Sequence, residues 1–267
     1  MSASLDWIRL LFSRKWWWTT LLVLVGIGIA ILLGIWQLDR NAKRQAEISQ
    51  VRSIQTLPEL DLATRPIPAD LPAMEYRPVT VSGQYDFEHQ VVLRNQVRTR
   101  MTGTDPGFSL LTPLIMADGT AVMVNRGWIP LEYDTPEEWR QFDEPGTVSV
   151  QGILRSSLQK GEMGSALVDP TLPPGETHLD YWNFANLSRL QEQLPYPILD
   201  VYIQQAPGSD IESIPYRHIE QPDLDPGAHL GYAATWYIFA GLLLVGYPIW
   251  LKKQKKPPID SGGKQSG

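Results

Sequence analysis

Between His229 and Trp250 the chain runs for 22 residues, HLGYAATWYIFAGLLLVGYPIW, without an Asp, Glu, Lys or Arg, and then meets Lys252, Lys253, Lys255 and Lys256. At about 1.5 Å of rise per residue a helix of this length reaches roughly 33 Å, enough to cross a hydrocarbon core of about 30 Å. His229, Ala233, Trp236 and Ala240 fall at i, i+4, i+7 and i+11, on one helical face. Two alanines among larger side chains leave room beside that face for a flat group or a second helix. His229 stands at the entry end of the run, not in its middle.

A second run from Trp16 to Leu38 is also free of charge and passes directly into Asp39, Arg40, Lys43 and Arg44. A cleaved signal would have a shorter apolar core and a small-residue cleavage site, so this run is expected to stay as an anchor. The division predicted is a tail over 1–15, a transmembrane helix over 16–38, a polar domain over 39–228, a second transmembrane helix over 229–250 and a disordered basic tail over 251–267. Gly26, Ala30 and Gly34, four residues apart, form a small-residue ridge on which another helix can pack closely.

Charge separates the same parts. Residues 39–228 hold 27 acidic and 15 basic side chains, net −12, whereas the tails hold 2 acids and 8 bases. An acidic middle excludes nucleic acid as a partner, because phosphates need a basic footprint. Basic tails suit anionic lipid. Lys and Arg counts tie across the first span, with Arg9, Arg14 and Lys15 before it and Arg40, Lys43 and Arg44 after it. The second span is lopsided, with four lysines after it and acids just before. Both termini are therefore expected in the cytoplasm of a two-span cell-membrane protein, with the middle domain outside.

From Tyr76 onward apolar residues recur with period two between turn residues. Strands are expected over Arg77–Asp86, Gln90–Val97, Phe108–Met116, Ala121–Trp128, Val148–Leu154 and Ile198–Gln204, with short helices at Glu137–Phe142 and Asn186–Gln193. Asp118-Gly119 signals a hairpin, and Asp105-Pro106-Gly107 and Pro145-Gly146 signal further turns. The fold class that follows is a membrane protein in which two transmembrane helices flank an extracytoplasmic α+β domain, mostly antiparallel β.

The chemistry available is narrow. There is no cysteine, so disulfides, thiolate metal sites and a Cys nucleophile are excluded. No G-x-S-x-G, Gly-rich phosphate loop or H-x-x-x-H occurs. His89, His178 and His218 stand singly, without metal-ligand spacing. No catalytic residue is expected, and the protein reads as a non-enzyme. His229 differs by its depth. Its imidazole can ligate a metal such as haem iron, Arg40 could face a propionate, and Trp36 and Trp236 could form flat walls. Against this stands an interfacial His and Arg snorkelling among headgroups beside an ordinary aromatic belt, which the residues alone favour. The run Asn125-Arg126-Gly127-Trp128-Ile129-Pro130 is expected to end a strand in a turn. Its Trp either plugs the domain's end or faces a partner.

GIWQLDR (Gly34–Arg40), VNRGWIP (Val124–Pro130) and HLGYAATWY (His229–Tyr237) resemble the three signatures of the surfeit-locus family of cytochrome c oxidase assembly factors. VVLRNQ (Val91–Gln96) and GFSLLTPL (Gly107–Leu114) resemble further segments of that family, and the likeness covers about residues 16–250. It implies haem a as a transiently bound cofactor and its insertion into cytochrome c oxidase subunit I as the step assisted. By position it implies His229 as iron ligand, with Trp36, Gln37, Arg40, Tyr232 and Trp236 in the cofactor-binding motifs. Asn125, Arg126, Gly127 and Trp128 form the middle motif, whose role is structural or in docking a partner. Partners implied are subunit I, membrane lipid, haem a synthase and further copies of the chain as a homo-oligomer. The alternative within the same family role is a haem-free scaffold that stabilises apo subunit I.

Overall fold

The computed structural model describes residues 11–64, 66–101, 103–158, 167–173, 175–210 and 212–254. Of the tails expected over 1–15 and 251–267, residues 1–10 and 255–267 lie outside the described residues, whereas 251–253, expected to be disordered, complete the C-terminal helix His229–Lys253. The chain divides into two compact units, one from Met1–Ser49 with Leu224–Gly267 and one from Gln50–Asp223.

The first unit is an antiparallel helix pair. Helix α1 (Trp17–Gln55) contains no proline and runs 39 residues, about 58 Å. The apolar run and the polar stretch after it are thus one continuous helix. Both α1 and the helix α4 (His229–Lys253) are long and apolar enough to cross a membrane. Thr20, Ala30, Gly34 and Ile48 are buried on α1, and Ala233, Ala240 and Leu251 on α4. Val23, Ile27, Gln37, Asn41 and Arg44 fill the gaps on α1 as half-buried positions, and half-buried Trp16 extends the series just before it. The spacing alternates between three and four, so the stripe repeats every 3.5 residues on average and keeps facing its partner along the pair. A Cβ on Gly34 would lie 2.8 Å from Cζ of Tyr237, and one on Gly26 would lie 3.5 Å from Leu243. The small-residue ridge therefore packs on α4, as its spacing suggests. Near the other end Thr20 Oγ1 and Tyr247 Oη are 2.7 Å apart, and the rings of Trp16 and Trp250 meet edge to face.

The second unit is an eight-stranded sheet ordered β1-β2-β6-β8-β5-β4-β3-β7, made of β1 (Leu60–Asp61), β2 (Pro78–Tyr85), β3 (Val91–Arg100), β4 (Gly103–Ile115), β5 (Ala121–Pro130), β6 (Thr147–Ser156), β7 (Tyr181–Trp182) and β8 (Ile198–Gln205). The short helices α2 (Pro136–Trp139) and α3 (Leu187–Gln191) lie in the connections. A further pairing of Gln84 and Tyr85 with Ile115 and Leu114 joins β2 to β4, closing β2, β6, β8, β5 and β4 into a ring. Closure leaves no open edge among those five strands.

The sheet is mixed: β2–β4, β2–β6, β3–β4, β4–β5 and β6–β8 pair antiparallel, as the hairpin signals imply, but three other pairings do not. β5–β8, β1–β2 and β3–β7 pair in parallel. The long excursion between Pro130 and Ile198 gives β8 the crossover that a parallel neighbour of β5 requires. Period-two alternation reports which residues face inward but not strand direction. Val122 and Val124 on β5 meet Val201 and Ile203 on β8 within one core, while Met123 and Tyr202 point to a second core beneath α3. β5 is thus buried on both faces.

Asp105-Pro106-Gly107 is not a turn. It continues β4, with Val97 opposite Pro106 and Arg100 opposite Gly103, and Arg100 Nε lies 2.7 Å from Asp105 Oδ2 across the strands. Pro106 is tolerated because β5 ends opposite Gly107, so one side of β4 has no ladder to break there. The Asp118-Gly119 hairpin is present, with Gly119 at φ +82° and the Thr120 amide donating to Asp118 Oδ1.

Candidate functional site

α4 begins at His229, after a turn in which the Gly227 amide donates to Asp225 Oδ1 with Gly227 at φ +72°. On the opposing helix Arg44 Nε donates to the Asp225 carbonyl oxygen at 3.0 Å, tying this turn to α1. The entry of α4 is held from both sides, and His229 is half-buried there. Its Nδ1 lies 2.9 Å from Gln37 Oε1. A carboxamide oxygen only accepts, so this contact is a hydrogen bond when Nδ1 carries a hydrogen.

Gln37 is thus brought directly to His229. The other motif residues stand on the same two helices. Trp36 and Arg40 stand one turn apart on one flank of α1. Because α4 runs antiparallel, Tyr232 and Phe239 line the matching flank of that helix. Trp36 is 53% exposed, Tyr232 58% and Phe239 49%, so this lateral face is not covered by the helix pair itself. Trp236 sits deeper on the buried stripe and packs on Phe239, with ring centroids 6.0 Å apart. With Gln37 level with His229, Trp36 and Tyr232 lie within about 5 Å of it along the axis. Arg40 is exposed one turn beyond Gln37. What results is an aromatic face with an imidazole at its edge and a guanidinium past its outer end.

The middle motif ends β5 at Pro130, as expected, and also carries a bulge. It lies inside β5, where the ladder to β4 slips between Leu110–Gly127 and Leu111–Asn125, so Arg126 is the extra residue of a bulge. Asn125 Oδ1 accepts from the Gly127 amide and shapes the bulge. Gly127 has φ +126°, and a Cβ there would lie 2.7 Å from the Tyr216 carbonyl oxygen. That approach lets the strand-like segment at Tyr216 exchange two backbone hydrogen bonds with Trp128, at 2.8 and 2.7 Å. Trp128 is buried under this segment, with its indole against Gly107.

The bulge turns Arg126 fully inward. Its Nη1 donates to Gln90 Oε1 at 3.1 Å, and its Nη2 donates to Glu144 Oε1 at 2.9 Å and to the Phe142 carbonyl. Arg217 Nη2 reaches the same Glu144 oxygen at 2.7 Å, and Thr112 Oγ1 donates to Gln90. The guanidinium also lies over the rings of Tyr85 and Phe87 at 4.8 and 5.3 Å. Burial pushes the Tyr85 phenol up to about 12, against the opposing pull of Arg126. Burial also raises the Asp143 carboxyl, although Arg126 and Arg140 act to lower it. This network binds the end of β5 to the segments around Glu144 and Arg217. Nothing in the spacing of VNRGWIP reveals it, since an Arg between a strand's polar and apolar positions usually faces solvent.

Outside the bulge, Arg98, Asn125, Trp128, Gln204, Tyr216 and His218 line a cavity of about 420 Å³. His89 is held by Asp86 at 2.7 Å and His178 lies 3.2 Å from Asp180, so each of these histidines has its own carboxylate. Among the described residues no three His, Asp or Glu side chains are grouped to hold a metal ion.

The profile of the SURF1 family matches residues 24–241, a stretch that takes in all three motifs. The chain is 26% identical over 243 residues to a SURF1-like protein of Monosiga brevicollis, covering 88% of this chain and 85% of the relative. It is 25% identical over 252 residues to Surfeit locus protein 1 of Xenopus tropicalis, covering 90% and 75%. To Surfeit locus protein 1 of Mus musculus it is 24% identical over 242 residues, covering 85% and 73%.

Proposed function

The chain belongs to the SURF1 family, and from that premise we propose that it is a membrane-anchored, non-enzymatic assembly factor for a haem–copper oxidase. In this reading it binds haem a in transit and assists its insertion into oxidase subunit I. Both termini lie in the cytoplasm, and the acidic β unit is the extracytoplasmic part that engages subunit I. Haem a synthase is the natural donor of the cargo.

The single observation that carries this reading is the aromatic face beside His229 that the helix pair itself leaves uncovered. Such a cargo is flat and largely apolar, carries one metal at its centre and has an anionic edge. Trp36 and Tyr232 offer exposed ring surface, His229 offers one nitrogen lone pair, and Arg40 offers one cation at the outer end of the same flank. The donor set thus fits the cargo's chemistry. In this role His229 would hold the iron, Arg40 would pair with a propionate, and Trp236 would back the face from within the helix pair. A face on the side of a helix pair suits sideways transfer within the bilayer, without exposure to water. A single protein ligand leaves one bond to break on release.

The test is delivery. In cells that lack the native protein, wild type is expected to restore the haem a content of the oxidase, and His229→Ala to restore little of it at equal protein level. Full restoration by His229→Ala would refute the carrier mechanism.

A further inference from the structure

Resting on this reading, we infer that Gln37 is a positioning residue that fixes the tautomer and ring orientation of His229. Neutral imidazole has two tautomers, and the free side chain prefers to carry its hydrogen on Nε2. That tautomer offers Nδ1 as the ligand, the nitrogen nearer the backbone and harder for a bulky planar group to reach. At 2.9 Å from Nδ1, the Gln37 carboxamide oxygen selects the other form. Nδ1 becomes the donor, and Nε2, at the ring's outer edge, becomes the only nitrogen able to ligate.

The contact is built to persist. Gln37 lies on the half-buried stripe of α1, three residues beyond buried Gly34, against which the Tyr237 ring packs. His229 is the first residue of α4, and its entry turn is tied to α1 through Arg44 and the Asp225 carbonyl. The two side chains therefore meet at a fixed register, and neither needs to reorient when a ligand arrives. Outer hydrogen-bond partners of ligating histidines set ring orientation and ligand basicity in just this way, and their loss typically weakens binding about 10- to 100-fold.

The chain has four histidines, so full-length protein labelled with nitrogen-15 histidine in lipid nanodiscs gives few signals. His229→Ala assigns the one of interest. In slightly alkaline buffer, wild-type His229 is expected as the Nδ1–H tautomer. Gln37→Leu is expected to return it to the Nε2–H form and to weaken binding of added ferric haem a about tenfold or more. Gln37→Glu keeps an acceptor at the same reach and is expected to preserve both. Circular dichroism of each variant reports whether the helices stay formed. Wild-type tautomer and affinity in Gln37→Leu would overturn the inference, as would loss of both in Gln37→Glu with the helices intact. If His229→Ala itself binds haem a as wild type does, the carrier reading fails instead, and the tautomer measurement still reports on Gln37.

Discussion

Arg126 holds its charge where water does not reach, and the motif around it exists to make that tolerable. Its guanidinium is answered by Glu144, Gln90 and the Phe142 carbonyl, and Glu144 in turn holds Arg217. Removing Arg126 leaves Glu144 paired with Arg217 but takes a donor from the Phe142 carbonyl and from buried Gln90. A buried acceptor left short costs about 1–3 kcal/mol before the emptied space is counted. Arg126→Ala is therefore expected to lower the stability of the β unit by about 3 kcal/mol, read as a fall in the denaturation midpoint of full-length protein. A shift smaller than that of an ordinary surface substitution would show the network to be dispensable. Two buried phenols of the β unit make a second prediction. Burial raises Tyr85 and Tyr202 each to about 12, whereas an unfolded tyrosine ionises near about 10. A group whose folded value is raised stabilises the fold fully below its unfolded value and loses that contribution as pH climbs through the folded one. Stability should be flat up to about pH 10 on this account and fall between about pH 10 and 12. Tyrosinate absorbance should show a late-titrating fraction that appears together with loss of the circular-dichroism signal. Complete tyrosine ionisation near pH 10 with the fold intact would contradict it.

At the scale of elements, the helix pair rests on one close approach. A side chain at Gly34 would overlap the Tyr237 ring, with Cβ 2.8 Å from Cζ. Gly34→Val is expected to push the helices apart at a cost of about 1–3 kcal/mol, and adding Tyr237→Ala should recover much of it. Because the chain has no native cysteine, an Ala30→Cys/Ala240→Cys pair reports helix proximity directly through its cross-linking yield. Equal yields in the presence and absence of Gly34→Val would rule out this contact. This element was readable beforehand, since glycine and alanine four residues apart and an apolar run without charge need no tertiary information. The long strands were readable for the same reason, through alternation. β1 and β7 were not, because two residues carry no period and each is held by a parallel neighbour distant in sequence. Asp105-Pro106-Gly107 misled because turn chemistry ignores where a neighbouring strand ends. Strand direction was equally hidden, and the parallel pairing of β5 with β8 appears only with the fold. In the candidate site, the pairing of His229 with Gln37 depends on helix register, which spacing within one helix does not contain. The inward turn of Arg126 depends on a bulge that only the β4 register imposes.

Over the whole molecule, the two units carry different kinds of evidence. The β unit spends its middle motif on its own architecture, with Asn125, Arg126, Gly127 and Trp128 engaged in bulge geometry, a buried ion pair and a backbone bridge. The helix pair leaves its motif residues Trp36, Arg40 and Tyr232 exposed around a half-buried imidazole. The proposed haem a site on the helices rests on that contrast. The measurement that tests this most directly is the absorption spectrum of the detergent-purified protein, co-produced with the enzymes of haem a synthesis, beside that of His229→Ala. The account predicts a haem a spectrum in wild type that is lost or shifted in the variant. A colourless wild type, or a spectrum indifferent to His229, would contradict it, and a colourless protein would leave a haem-free scaffold for apo subunit I.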